Sequence, residues 1–187
     1  MNNKNKNRDK DMNIFVLHLC PKVCAMYHCD KHVVKMILET TQLLYTCIMI
    51  CCQDIENRIK TAPYTLSGNQ GYKIISKNHP CSLWLRESVS NYEWLINLGK
   101  ELCKEYEYRY EKKHACVEHI KWLETVAPDI PDIGITKFRL VMKDDYKEVN
   151  YSDFKNVTES YRNYYNKEKR KFAKWSKREV PKWFLKN

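Results

Sequence analysis

A mainly α fold, a compact single-domain bundle of about four to five helices, is what the sequence predicts. Three observations carry that expectation. The 187 residues suit one domain, and 43% hydrophobic with 12% aromatic residues can bury a core of ordinary size. Four glycines and six prolines are too few for the many tight turns of an all-β chain. The apolar residues recur at helical rather than alternating spacing over three long stretches.

Residues 1–11 are polar after Met1 and read as a disordered N-terminal extension, which leaves 12–187 as the helical domain. The short apolar run Ile14–Leu17 reads as a strand or as the buried start of the fold, and Cys20-Pro21 opens a helical region. Residues 28–52 read as one long helix. Residues 53–80 are polar and irregular, with turn signals at Ala62-Pro63, Ser67-Gly68 and His79-Pro80. A second long helix is expected over 82–114 and a shorter one over 115–127. Pro128, Pro131 and Gly134 then break the chain, and a short apolar piece follows at Phe138–Met142. Ser152 is a suitable N-cap for a last long helix over 153–176.

Composition bounds the function. No uninterrupted apolar stretch reaches the ~18 residues of a membrane-spanning helix, and no secretory leader pattern is present, so no membrane partner is expected. The nine cysteines are odd in number, and Cys47, Cys51 and Cys52 sit in an apolar helical run. Free buried thiols of an intracellular, non-secreted protein are the expected reading. No CxxC pair offers a thiolate zinc site. The net charge of +10 admits a DNA partner. It comes from 25 lysines and 8 arginines, however, a bias that AT-rich coding also produces, so charge alone does not establish one.

The helical wheels are more specific. At 100° per residue, His28, Lys31, His32, Lys35, Glu39 and Gln42 share an arc of about 100° on an otherwise apolar first helix. A surface ladder, with Lys35 and Glu39 paired across one turn, accounts for such a stripe. So does a cleft lined by imidazoles, ammoniums and a carboxylate. In the second helix Asn91 and Arg109 lie within the apolar face, whereas Arg86 points to solvent. In the last helix Glu168 falls among aromatic residues that include Tyr161 and Tyr165, flanked by Arg162 and Lys169. A carboxylate in such a face is either paired or has a raised pKa. Convergence of Glu168, Arg109 and His114 on the stripe would make an enzyme the favoured reading.

Three stretches, HCDKHVVKMILET at 28–40, NHPCSLWLRESVSNYEWL at 78–95 and YRNYYNKEKRKFAKWSKREVPKWF at 161–184, together resemble a family of small uncharacterised proteins of tailed phages and giant DNA viruses. That likeness covers residues 12–184. The order of elements is also similar to the phage pyrimidine-dimer DNA glycosylase group: an apolar start, a first helix with charged residues, then His-Pro before a long amphipathic helix with an arginine near its end. The second resemblance implies a compact helical protein. In that group a terminal amine attacks the sugar C1′ while a glutamate on the first helix assists. Glu39 would be the matching carboxylate by element. Residues 1–11 precede Met12, and Asn13 disfavours removal of that methionine, so Lys35 or Lys31 would have to supply the amine.

The expected function is therefore a DNA-acting viral enzyme, a base glycosylase/lyase or base-modifying enzyme, with no cofactor. Lys35, Glu39, Glu168 and His32 are its catalytic candidates. Lys31, His28, Asn91, Arg109, His114, Arg162, Tyr165 and Lys169 are the residues that would bind substrate. Two alternatives stand beside it. One is a non-catalytic nucleic-acid or host-protein binding module, which needs only the lysines and the aromatic tail. The other is a metal-dependent helical hydrolase using the His28–His32 pair, which Lys31 and Lys35 disfavour by repelling a divalent cation.

Overall fold

The computed structural model describes residues 12–148 and 153–184. The expected extension 1–11 and the Ser152 cap lie outside them. Residues 12–17 enter the core at once in extended conformation. Every side chain from Met12 to Leu17 is buried, Asn13 being the polar one. No strand forms among the described residues, and one isolated bridge pairs Tyr64 with Gln70.

Pro21 then starts helix α1 (Pro21–Tyr27), where a missing N–H costs nothing. Cys29 caps helix α2 (Asp30–Cys51), the 22-residue axis of the molecule. A single turn, α3 (Ile55–Arg58), and a 3-10 turn lead into an irregular stretch. Helix α4 (Pro80–Leu85) is opened by the His79 side chain, which accepts from Cys81 N. Helix α5 (Val89–Tyr110) matches α2 in length. The expected single helix over 82–114 is thus two. Ser88, with extended backbone, breaks it, and its hydroxyl donates to Asp132 at 3.1 Å. Helix α6 (Val117–Glu124) follows.

Helix α7 (Phe154–Tyr164) is capped by Asp153, which accepts from Lys155 N. It does not run on to residue 176. From Tyr165 to Lys169 it widens into a π turn and then unravels. A π turn carries more residues per turn than the wheel assumes, so residues beyond 165 leave the face assigned to them.

Helix α2 packs on α4, α5 and α6, and α1 packs on α5. By length and composition α2 could cross a bilayer, yet 67% of its most apolar 18-residue window is buried inside the protein. The same apolar surface thus serves as the core of the bundle, where Ile37, Leu43, Leu44, Tyr45 and Ile48 are fully enclosed. The Phe138 segment closes one side by stacking on Trp84 at 4.7 Å. Trp84, Tyr161 and Tyr165 are fully enclosed too, and truncating a ring of this kind costs about 3–5 kcal/mol.

The last described segment straps across the N-terminal end of α2. Asp30 N donates to Lys174 O at 2.8 Å, and Ser176 Oγ donates to Asp30 Oδ2 at 2.8 Å. Trp175 Nε1 donates to Tyr27 O at 3.0 Å.

Candidate active site

The polar stripe of α2 divides into an exposed edge and a buried seam. Lys31 and Lys35 are exposed, whereas His32 and Glu39 are buried. His28 precedes the helix and is fully buried at the end of α1.

Glu39 has a built environment. Lys35 Nζ lies 3.0 Å from Oε1, one turn away, and the lysine side chain is half exposed. From the other side, the Asn13 main-chain N–H donates to Oε2 at 3.3 Å. Asn13 is itself pinned: Nδ2 donates to Val141 O at 2.8 Å, and the Tyr161 hydroxyl sits 3.0 Å from Oδ1. Toward the start of α4, the charge of Glu39 acts on the Cys81 thiol. That thiol is pushed up to about 12, mainly by burial. Just before α4, Ser76, Lys77, Asn78 and His79 line an open depression of about 380 Å³.

The histidines are electrically silent near neutrality. His32 stacks on Phe15 with centroids 4.5 Å apart, and its Nδ1 pairs with the Tyr165 hydroxyl. Burial, reinforced by the nearby His28, Lys169 and Lys35, drives its pKa down to about 2. His28 Nδ1 lies 2.7 Å from Cys24 O, its Nε2 has no partner among the described residues, and burial lowers it to about 4. Burial disfavours the imidazolium form of both rings near neutral pH. Among the described residues no three His, Cys, Asp or Glu side chains stand together as a metal cage.

Lys31 lies over the Phe172 ring at 5.0 Å, and Lys169 lies over Tyr164 at 4.6 Å and Phe15 at 5.8 Å. With Lys35, they rim the aromatic wall in positive charge.

Other candidates stand elsewhere. Glu168 is exposed: the π turn swings it out of the aromatic face, where it accepts from Tyr146 Oη at 2.5 Å. That bond holds its carboxyl below the usual range, the opposite of a raised pKa. Arg109 is sealed inside. It donates to Glu105, Asp30, His28 O and Met26 O, which makes it a structural clamp between α5 and the α1–α2 corner. Asn91 is also enclosed, bonding Trp84 O and Thr136. His114 sits beyond the end of α5 against Tyr106 at 5.1 Å, with its pKa lowered by burial. Arg162 donates to Leu17 O at 3.1 Å and lies over Tyr27 and Trp183. Arg86 is not a free solvent residue, since its guanidinium holds Lys77 O at 2.6 Å.

Asn13 and Tyr161, which fix the surroundings of Glu39, are residues that helical wheels miss. The available signal for Asn13 was its place as the polar residue of a buried apolar run.

The match to known families begins within this constellation. Residues 12–118, more than half of the chain, match the family model described as pyrimidine dimer DNA glycosylase. The chain belongs to the pyrimidine dimer DNA glycosylase family. The matched span contains Asn13, Lys35 and Glu39, and membership supports a DNA-acting function of the glycosylase type. No curated protein and no solved structure matches the chain.

Proposed function

We propose that the protein removes damaged bases from DNA, pyrimidine dimers being the substrate class its family points to, with Glu39 as the catalytic carboxylate. One observation carries this: a buried glutamate held between an accessible lysine amine and the Asn13 nitrogen, inside the span that matches the family. In the reaction an amine nitrogen bonds to C1′ of the sugar as the C1′–base bond breaks. The base leaves with the bonding electrons and takes up a proton. The C1′–O4′ bond then breaks and O4′ takes up a proton, so that the ring opens, the nitrogen loses its protons and a sugar imine forms, which water hydrolyses or which eliminates the 3′ phosphate. Glu39 accepts the amine proton and faces the positive charge that develops on the sugar. The lysine rim would hold the phosphates, and such a function belongs in the compartment that contains the DNA, where free thiols persist.

Lys35 is the amine in this reading, because its Nζ is exposed and 3.0 Å from the carboxylate. A second reading is favoured by the Asn13–Glu39 contact. Proteolysis of the Met12–Asn13 bond would turn that peptide nitrogen, which has no basic lone pair, into an α-amine already beside Glu39. Borohydride trapping on UV-irradiated or abasic DNA separates the two. The full chain should form a covalent adduct, and Lys35→Ala should not, if the lysine attacks. If only a chain beginning at Asn13 traps, the α-amine is the nucleophile. An absence of adduct in every form would remove the imine route and leave direct water attack, base modification or plain DNA binding.

A further inference from the structure

Residues 12–17 lie extended and buried without a β-ladder to hold them, since no strand forms among the described residues. Side chains of the helices hold this main chain instead. The Cys24 thiol of α1 donates to Phe15 O at 3.2 Å. From α7, Arg162 Nε donates to Leu17 O at 3.1 Å. The residue before it, Tyr161, reaches the other end of the segment. Its hydroxyl lies 3.0 Å from Asn13 Oδ1 and 2.8 Å from Arg139 O. Consecutive residues of α7 thus grip the segment at Asn13 and at Leu17. Burial pushes the pKa of the Tyr161 phenol up, so its hydroxyl stays protonated and donates.

Asn13 passes this grip on to Glu39. Its Oδ1 accepts from Tyr161 and from Ile14 N at 2.8 Å, and its Nδ2 donates to Val141 O at 2.8 Å. A side chain held by these bonds fixes the direction of its own main-chain N–H, which meets Glu39 Oε2 at 3.3 Å. That length is just past the ordinary N–H···O range, so a small shift of Asn13 breaks the contact. The other carboxylate oxygen lies 3.0 Å from the Lys35 ammonium. A carboxylate bonded at both oxygens has one orientation, and Asn13 sets one of the two bonds.

We propose that Tyr161 is a positioning residue for the reaction: acting through the Asn13 side chain, its hydroxyl keeps the Asn13 N–H on Glu39 and so aims that carboxylate at the Lys35 amine. The proposal rests on the glycosylase reading above. Tyr161 is fully buried, so its effect passes through Asn13 and not through contact with DNA. Moving a reacting group by about 1 Å costs on the order of 100-fold in rate. Loss of one bond at Asn13, with the Val141 and Ile14 bonds kept, sets a smaller effect.

The experiment compares wild type, Tyr161→Phe, Asn13→Ala and Tyr92→Phe. Tyr92→Phe is the control, because it removes another buried hydroxyl, one that donates to Leu123 O and Val126 O instead. Borohydride trapping on a duplex with one abasic site gives the rate at saturating DNA and the DNA concentration for half-saturation. Tyr161→Phe and Asn13→Ala should lower the saturating rate about tenfold and leave half-saturation unchanged, while Tyr92→Phe changes neither. In a Glu39→Gln background Tyr161→Phe should cost nothing further, because the hydroxyl acts through that carboxylate. A second readout needs no activity. In protein carrying isotopically labelled asparagine, Glu39→Gln should shift the Asn13 amide proton, and Tyr161→Phe should at least halve that shift. Wild-type trapping without loss in Tyr161→Phe, or with an equal loss in Tyr92→Phe, would overturn the role of Tyr161 and leave the glycosylase intact. Should Tyr161→Phe not fold, a wild-type rate for Asn13→Ala overturns it. A Tyr161-dependent amide shift without any trapping would support the hold on Glu39 and overturn the glycosylase reading. An amide shift that Tyr161→Phe leaves whole overturns the proposal.

Discussion

Glu39 receives the main-chain N–H of Asn13 at 3.3 Å from across 26 residues of sequence. The contact exists because the first described residues are buried as an extended segment against α2, with the Asn13 side chain locked by Val141 and Tyr161. The position of one backbone nitrogen is thereby fixed to a carboxylate that also pairs with an accessible lysine.

Replacing Glu39 by Gln should separate chemistry from folding. The amide can still accept from Asn13 N, and loss of the pair with half-exposed Lys35 should cost under about 1 kcal/mol. Base release or borohydride trapping should fall about 100-fold or more. Wild-type trapping by a well-folded Glu39→Gln protein would rule out its catalytic role.

Arg109→Ala should have the opposite profile. It removes the enclosed guanidinium shared by Glu105 and Asp30, leaving Glu105 to Arg178 and Asp30 to Ser176. Breaking a buried pair from one side costs about 3–5 kcal/mol, a large part of an ordinary domain's stability. Urea denaturation should show it, while activity per folded molecule stays near wild type. A substrate-affinity defect without a stability loss would restore Arg109 to the binding surface.

Acid should destabilise the protein before its carboxylates titrate. Burial depresses His28 to about 4 and His32 to about 2, and it lowers His114 and His119 as well. The unfolded chain takes up protons near 6.5, where the folded histidines do not. Stability is therefore fully present above about pH 6.5 and falls as pH drops below it, down through the folded values. Each histidine contributes at most about 1.4 kcal/mol per pH unit. The urea midpoint should decline between pH 7 and pH 5, and a flat profile would contradict the burial of these rings.

Thiol reactivity should follow exposure. All nine cysteines are free, Cys20 is exposed and Cys51 partly so. A hydrogen bond from Cys47 brings Cys51 down to about 7, so it should react quickly at neutral pH. An aromatic disulfide reagent should label Cys20 and Cys51 in the native state and the other seven only on unfolding. Any pre-formed pair in the unreduced, unfolded protein would contradict the free-thiol reading.

Helical periodicity carried the parts of this molecule that are regular. The α2 stripe, the buried face of α5 and the burial of residues 14–17 follow from residue spacing, because burial and the 3.6-residue turn act locally. Three features escaped it for physical reasons. Ser88 breaks the second helix through a bond to Asp132, a partner 44 residues away. The π turn at Tyr165–Lys169 changes the angle per residue, so Glu168 points outward although the wheel set it among aromatics. Arg109 was placed correctly in the apolar face, but its acceptors come from α1 and α2, and only the fold shows that they consume it.

The family match ends at residue 118, inside helix α6. Asn13 is held by Val141 and Tyr161, and Asp30 is tied to Ser176, all beyond that limit. The matched region is therefore no transplantable module. The surroundings of Glu39 are jigged by residues that the family model does not reach, so a relative could share the first two thirds and still hold that carboxylate differently. Swapping only the region after 118 between family members would be a direct way to retune the site without touching Lys35 or Glu39.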